Sequence, residues 1–159
     1  MNELDWTGWT EWTRLEGLDF REICIESGAY VLSVGKPINR AVGVDSIGLL
    51  DVGESSGLRN RIRTFVRCAT QYGQEGHMAG WRYAFLRSVR HFPFEELQIR
   101  WIGTASKQEA REIECRIMLT YIARHGELPP LNYSFNWSLF DKDGWDGFDR
   151  LIDWQSDKK

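Results

Sequence analysis

The sequence predicts a mixed α/β domain, in the α+β sense, with strands and helices interleaved along one chain. Three observations predict it. Residues 28–34, 46–53 and 97–103 are short runs of β-formers bounded by turn residues. Residues 58–69 and 110–121 place apolar side chains at helical spacing. The chain has 159 residues and is 42% hydrophobic, enough for one domain with its own core.

The first 20 residues hold Trp6-Thr7, Trp9-Thr10 and Trp12-Thr13, a repeat of period three. Three tryptophans this close lose too much if all stay hydrated. They either pack as a short helix on the domain or form a partner surface, and aromatic spacing of this kind favours packing. Gly28-Ala-Tyr-Val-Leu-Ser-Val34 is the first strand, and 35–43 is a loop by its Gly and Pro content. The strand 46–53 follows, placed to pair with the first as an antiparallel hairpin with a long connection.

Ser55 or Ser56 is the expected cap of the next helix. Its stripe is Leu58, Ile62, Phe65, Val66 and Ala69. At about 100° per residue, Arg61 lies at the edge of this stripe, whereas Arg63 and Arg67 point away. Residues 71–80 read as a loop carrying His77, and 81–89 as a short helix burying Trp81, Phe85, Leu86 and Val89. In the third strand, Leu97, Ile99 and Trp101 alternate with Gln98 and Arg100. Ser106-Lys-Gln-Glu109 is a capping box that opens the last helix. Ala110, Ile113, Ile117, Met118 and Tyr121 form its stripe, and Gly126 ends it. Glu114 falls inside that stripe, where a carboxylate is unfavourable without a task. Leu128-Pro-Pro-Leu-Asn132 is a rigid turn, and the acidic tail carries Trp137, Trp145 and Trp154.

Net charge is −3, yet charge is unevenly placed. Between Arg59 and Arg124 there are 11 Arg and one Lys against six Asp or Glu. The middle of the chain is thus basic between acidic ends, a distribution that suits a nucleic-acid partner or ordinary solvated helix faces. Arginine dominates, and its guanidinium grips phosphate in fork geometry. No apolar run approaches the ~20 residues of a membrane span. The N-terminus is acidic and unlike a signal peptide. Three scattered cysteines suggest neither a disulfide framework nor a zinc site, so a reducing cytoplasmic setting is expected.

The most informative stretch runs from Ile47 to Ile62: an apolar strand, a glycine turn, then a helix with arginine in its first turns. An arginine held at such a junction can bind a phosphate, and a carboxylate such as Glu114 can bind a divalent metal. Phosphodiester cleavage needs both parts.

The order strand, strand, arginine helix, strand, glutamate helix, Pro-Leu-Asn resembles the GIY-YIG nuclease family from about Gly28 to Asn132. Gly28-Ala29-Tyr30 stands at the first signature and Asp51-Val52-Gly53 at the second. The family arginine follows the second signature glycine by eight residues, and Arg61 lies at that distance from Gly53. The family's metal-binding glutamate sits in a helix after a Glu-Ala pair, as Glu114 follows Glu109-Ala110. An asparagine near a proline closes the domain, as Asn132 follows Pro130.

The resemblance implies a small three-stranded antiparallel sheet flanked by helices over residues 23–135. A tryptophan-rich extension (1–22) would precede it and an acidic one (136–159) would follow. It further implies a metal-dependent DNA endonuclease. Glu114 would hold one Mg²⁺ or Mn²⁺ ion, Arg61 the scissile phosphate, and Tyr30 would orient or deprotonate the water. Asn132 would brace the site, and Arg59, Arg63, Arg67 and Lys36 would contact nucleic acid. A single site cuts one strand, so double-strand cleavage implies a homodimer or sequential nicking. No membrane partner is expected.

Three departures separate the chain from the family pattern. Asp51 replaces the second-signature tyrosine. Glu54 stands where some members carry lysine, and Phe65 where several carry histidine. Asp51 is then a base, a second metal ligand, or the mark of a site that has lost catalysis. His77 either fills the missing histidine role or is an ordinary loop residue. The structural alternatives are a core tyrosine at Tyr30, a buried Arg61–Glu114 ion pair, and a turn residue at Asn132. The alternative function is an inactive module of the same fold that binds nucleic acid or a protein.

Overall fold

The computed structural model describes residues 6–71, 74–90 and 92–134. The C-terminal extension with its three tryptophans, and the Val89 side chain, lie outside the described residues. The strands are β1 (Thr13–Arg14), β2 (Gly28–Ser33), β3 (Ile38–Asn39), β4 (Val44–Asp45), β5 (Leu49–Ser55) and β6 (Gln98–Gly103). The helices are α1 (Leu58–Thr70), α2 (Met78–Arg90) and α3 (Lys107–His125). The mixed α/β class and the antiparallel sheet are as predicted.

The sheet has four strands in the order β1-β6-β2-β5, not three. The fourth comes from the tryptophan arm, which runs beside β6 instead of forming a helix. Thr13 pairs with Ile99, and the arm adds bonds from Thr10 N–H to Trp101 O (3.0 Å) and Leu15 N–H to Leu97 O (2.9 Å). Thr and Trp suit an extended chain, and the edge of β6 offers unpaired backbone groups for them to meet. Trp6, Trp9 and Trp12 pack on the α3 side of the sheet. There Trp6 and Trp12 flank the guanidinium of the buried Arg100, at 5.0 Å from the Trp6 ring and 5.3 Å from the Trp12 ring. The packing role expected of the tryptophans holds for these three.

Every residue of β2 is buried, because helices cover both faces of the sheet. Tyr30, Leu32, Ile99 and Trp101 pack with α1 and α2, while Val31, Leu49 and Val52 pack with α3. Residues directly opposite in antiparallel strands share a face. Tyr30 opposes both Gly53 and Trp101, and Leu32 opposes Asp51.

Neither Ser55 nor Ser56 caps α1. Gly57 is the cap residue, and Ser55 Oγ accepts its N–H at 3.0 Å. The free N–H groups of the first turn instead reach Glu26 O from Leu58 (3.0 Å) and Cys24 O from Arg59 (3.1 Å). This ties the helix start to the chain before β2. α3 begins as the capping box predicts, with Ser106 Oγ accepting Glu109 N–H at 3.1 Å. Gly126, at φ 70°, ends it in the left-handed region.

α2 starts three residues before the predicted Trp81, and its face is rotated. Trp81 is 57% and Phe85 67% exposed, whereas Tyr83 is fully buried. Ala79, Tyr83 and Leu86 form the inward stripe. Gly80 fixes this rotation: a Cβ there would lie 2.7 Å from Phe65 O on α1. The small residues at 79 and 80 thus face the core in place of the bulky aromatics.

Candidate functional site

β2 and β5 set the centre of the site by register. Tyr30 lies across from Gly53, and Asp51 sits on the same face two residues earlier on β5. The Tyr30 hydroxyl donates to Asp51 Oδ2 at 2.7 Å. His77, immediately before α2, brings Nε2 to 3.1 Å from the same hydroxyl and stacks edge-on against Phe65. Gly53 permits this, since a Cβ there would sit 2.6 Å from the Tyr30 ring and hydroxyl. Tyr30 is 1% exposed and Asp51 2%.

Arg61 enters from α1. Its charge favours the ionised forms of Tyr30, Asp51 and Glu114 and opposes protonation of His77. Its Nε is buried and has no hydrogen-bond partner. Arg61 and Glu114 form no ion pair with each other among the described residues. The structural alternative of a closed pair therefore does not account for them.

Glu114 comes from α3, on the opposite face of the sheet. β5 is the last strand of the sheet and connects the two sides: it carries Asp51 on one face and Glu54 on the other, and both repel the Glu114 carboxylate. Burial is the main influence on Glu114, and with these neighbours it raises the pKa to about 7 against the pull of Arg61 and Arg111. Burial likewise raises Asp51 to about 7, opposed by the Tyr30 hydrogen bond, Arg61 and Arg82. Tyr30 is held well above the usual phenol range by burial and by the Asp51 charge. His77 is pushed down to about 3 by burial and by Arg61.

Asn132 fastens the edge of β5. Its side chain accepts Val52 N–H at 3.0 Å and donates to Val52 O at 2.7 Å, while Leu131 N–H donates to Leu50 O at 2.8 Å. A side chain thus mimics a neighbouring strand.

The other basic candidates are distributed unequally. Arg59 donates to Ile23 O and Arg21 O, both at 2.9 Å, and so holds the segment that caps α1. Lys36 pairs with Glu96 at 2.5 Å. Arg63 is exposed beside the Phe20 ring, and Arg67 is exposed with one bond to Glu75 O. Of the four, Arg63 and Arg67 present the more available charge.

Two participants received no role in the site from the sequence, Glu54 having been noted only as a departure from the family pattern. Glu54 has one carboxylate oxygen 3.5 Å from Arg111 and the other buried without a partner. Strand alternation from Gly53 places it on the α3 face and was the available signal. Arg82 acts on Asp51 from α2, and its guanidinium lies 4.3 Å from the Tyr133 ring. Nothing local to residue 82 marks that role.

The carboxylates suit a hard divalent cation. The orphaned Glu54 oxygen and the repulsion between Glu54, Asp51 and Glu114 are both relieved by a positive ion. Among the described residues no three His, Cys, Asp or Glu side chains form a preformed metal cage. Mg²⁺ needs none, since one or two carboxylates and several waters suffice. No helix among the described residues is long and apolar enough to cross a membrane. Set beside known proteins, the chain matches no family model, no curated protein and no solved structure.

Proposed function

We propose that this protein is a metal-dependent DNA endonuclease of the GIY-YIG type. The observation that carries the reading is Arg61. A half-buried arginine whose buried Nε has no partner, acting on Tyr30, Asp51 and Glu114 together, is a cation placed for an anionic ligand. In this reading Arg61 binds the scissile phosphate and stabilises its developing charge. Glu114 holds Mg²⁺ or Mn²⁺, with Glu54 close by. When bound, the ion supplies Lewis-acid polarisation of a phosphate oxygen. Tyr30 orients and deprotonates the attacking water, and Asn132 keeps β5 in register beside it. The exposed Arg63 and Arg67 contact the DNA backbone, and cutting both strands uses two copies of the chain. A reducing cytoplasm suits its three free cysteines.

Plasmid DNA incubated with the full chain and Mg²⁺ or Mn²⁺ tests this. Cleavage is expected, and Arg61→Ala and Glu114→Ala should each lower its rate by about 10²-fold or more. Intact plasmid under every metal condition, or cleavage unaffected by both substitutions, removes the enzyme reading.

The near-complete burial of Tyr30 and Asp51 favours a second reading. In it the hydrogen bonds of Tyr30 serve stability, and the fold binds nucleic acid or a partner through Arg63, Arg67 and the tryptophan arm without cutting. Salt-sensitive DNA binding in the absence of cleavage distinguishes it.

A further inference from the structure

His77, Tyr30 and Asp51 come from three parts of the chain and form one hydrogen-bonded row. Its direction is decided at the far end. His77 Nδ1 faces the backbone N–H of Gly80 at 3.3 Å, in the first turn of α2. A backbone N–H can only donate, so Nδ1 is an acceptor and carries no proton. The depressed pKa keeps the ring neutral near pH 7. The single ring proton is therefore on Nε2 and points at the Tyr30 oxygen. Tyr30 cannot donate back to a nitrogen that already bears a proton. Its own proton has one direction left, toward Asp51 Oδ2 at 2.7 Å.

We propose that Asp51 is the proton acceptor behind Tyr30, and that His77 is the positioning residue that directs the Tyr30 proton to it. The chemistry rests on the nuclease reading above. As the attacking water loses a proton to the Tyr30 oxygen, the phenol proton moves to Asp51 Oδ2. The water oxygen's electron pair forms the new bond to phosphorus. The bond from phosphorus to the leaving sugar oxygen breaks, and that oxygen takes a proton from solvent. Tyr30 ends as a neutral phenol, and Asp51 holds one proton until it returns to solvent. The carboxylate that departs from the family signature thereby acquires a task in this chain. The charged groups facing the row are Arg61 from α1, Arg82 from α2 and Glu114 from α3.

Nitrogen NMR of the His77 ring in the full-length protein near pH 7 tests the direction. The chain has three histidines, so the His77 signals are assigned by their loss in His77→Asn, which keeps a side-chain acceptor for Gly80 N–H. A protonated Nε2 and a bare Nδ1 are expected. A proton on Nδ1, averaging of the two tautomers, or an imidazolium overturns the proposal. Carbon NMR of the Tyr30 ring, assigned with Tyr30→Phe, gives a second readout. Asp51→Asn should let Tyr30 ionise at lower pH than in the parent, because the repelling carboxylate is gone; an unmoved titration also overturns it. If Asp51→Asn fails to fold, the parent His77 pattern decides alone. None of these readouts requires cleavage, so an inactive protein bears on the nuclease reading and the ring tautomer on this one.

Discussion

Tyr30 and Gly53 face each other across β2 and β5, and the phenol ring occupies the space that a side chain at 53 would fill. The missing Cβ lets the hydroxyl lie flat over β5 and reach Asp51. Gly53 is not in a left-handed conformation, so its value is space rather than backbone freedom.

Gly53→Ala should therefore act as overpacking. The added methyl meets the ring at 2.6 Å, and strand β5 or Tyr30 must move. A loss of about 1–3 kcal/mol is expected in urea unfolding. The Tyr30–Asp51 bond should lengthen or break, visible as a changed Tyr30 ring signal. Full parental stability with an unmoved Tyr30 would contradict the assigned geometry.

Stability should fall as pH rises through the acidic range. Burial raises the Asp51 carboxyl from 3.8 to about 7 in the folded protein. Between these values the folded state keeps a proton that the unfolded chain has lost, so raising the pH favours unfolding. Above about 7 the penalty from this group is complete. Glu114, raised from 4.5 to about 7, adds to it in the same sense. Asp51→Asn keeps an oxygen for the Tyr30 hydroxyl and removes the ionisation. It should be more stable than the parent by about 1–3 kcal/mol at pH 8 and show less difference near pH 4. Unfolding curves at the two pH values check this, and an Asp51→Asn protein destabilised equally at both would count against it.

A divalent cation should stabilise the folded chain through Glu114. Binding only to the folded state adds about 2.7 kcal/mol at a concentration 100 times Kd. The melting temperature should rise with Mg²⁺ or Mn²⁺ in the parent and stay flat in Glu114→Gln. The variant without cation should also gain stability at pH 8, since a crowded, partly buried charge is removed. A cation response that survives Glu114→Gln would place the ion elsewhere.

Asn132→Ala removes both bonds to the Val52 backbone at the edge of β5. The expected loss is about 1–3 kcal/mol, because the Val52 N–H and C=O are left unpaired in a part-buried position. Hydrogen exchange at Val52 should quicken more than at Val31 on the central strand. Equal change at both would indicate general destabilisation and no local brace.

Much of this architecture was legible in local pattern. The strands around Tyr30, Asp51 and Trp101 and the helices carrying Arg61 and Glu114 repeat their apolar positions within a few residues, and that repetition needs no knowledge of neighbours. The capping box at Ser106 and the stop at Gly126 are local in the same sense, since each bond closes within four residues. Tyr30, Asp51, Arg61, His77 and Glu114 were singled out from the linear order of motifs. The family resemblance implied that they share a site, but the contacts of Tyr30 with Asp51 and with His77 had no signature in that order. The roles of Asp51 and His77 depend on Tyr30, which lies 21 and 47 residues from them along the chain.

Other features depended on the assembled fold. A period shows that a helix has a buried side but not which side survives when two aromatics compete with Tyr83 for it. The close approach of α1 to Gly80 turned Trp81 and Phe85 outward. The arm before β2 was read as a helix or a partner surface, yet the open edge of β6 drew it into the sheet. Arg59 and Lys36, alike in sequence to the exposed arginines, were taken up by backbone carbonyls and by Glu96. Local periodicity is set by bonds and sterics along a few residues. Which side chain is buried, paired or left with a free donor is set by surfaces that meet only when distant segments close on one another.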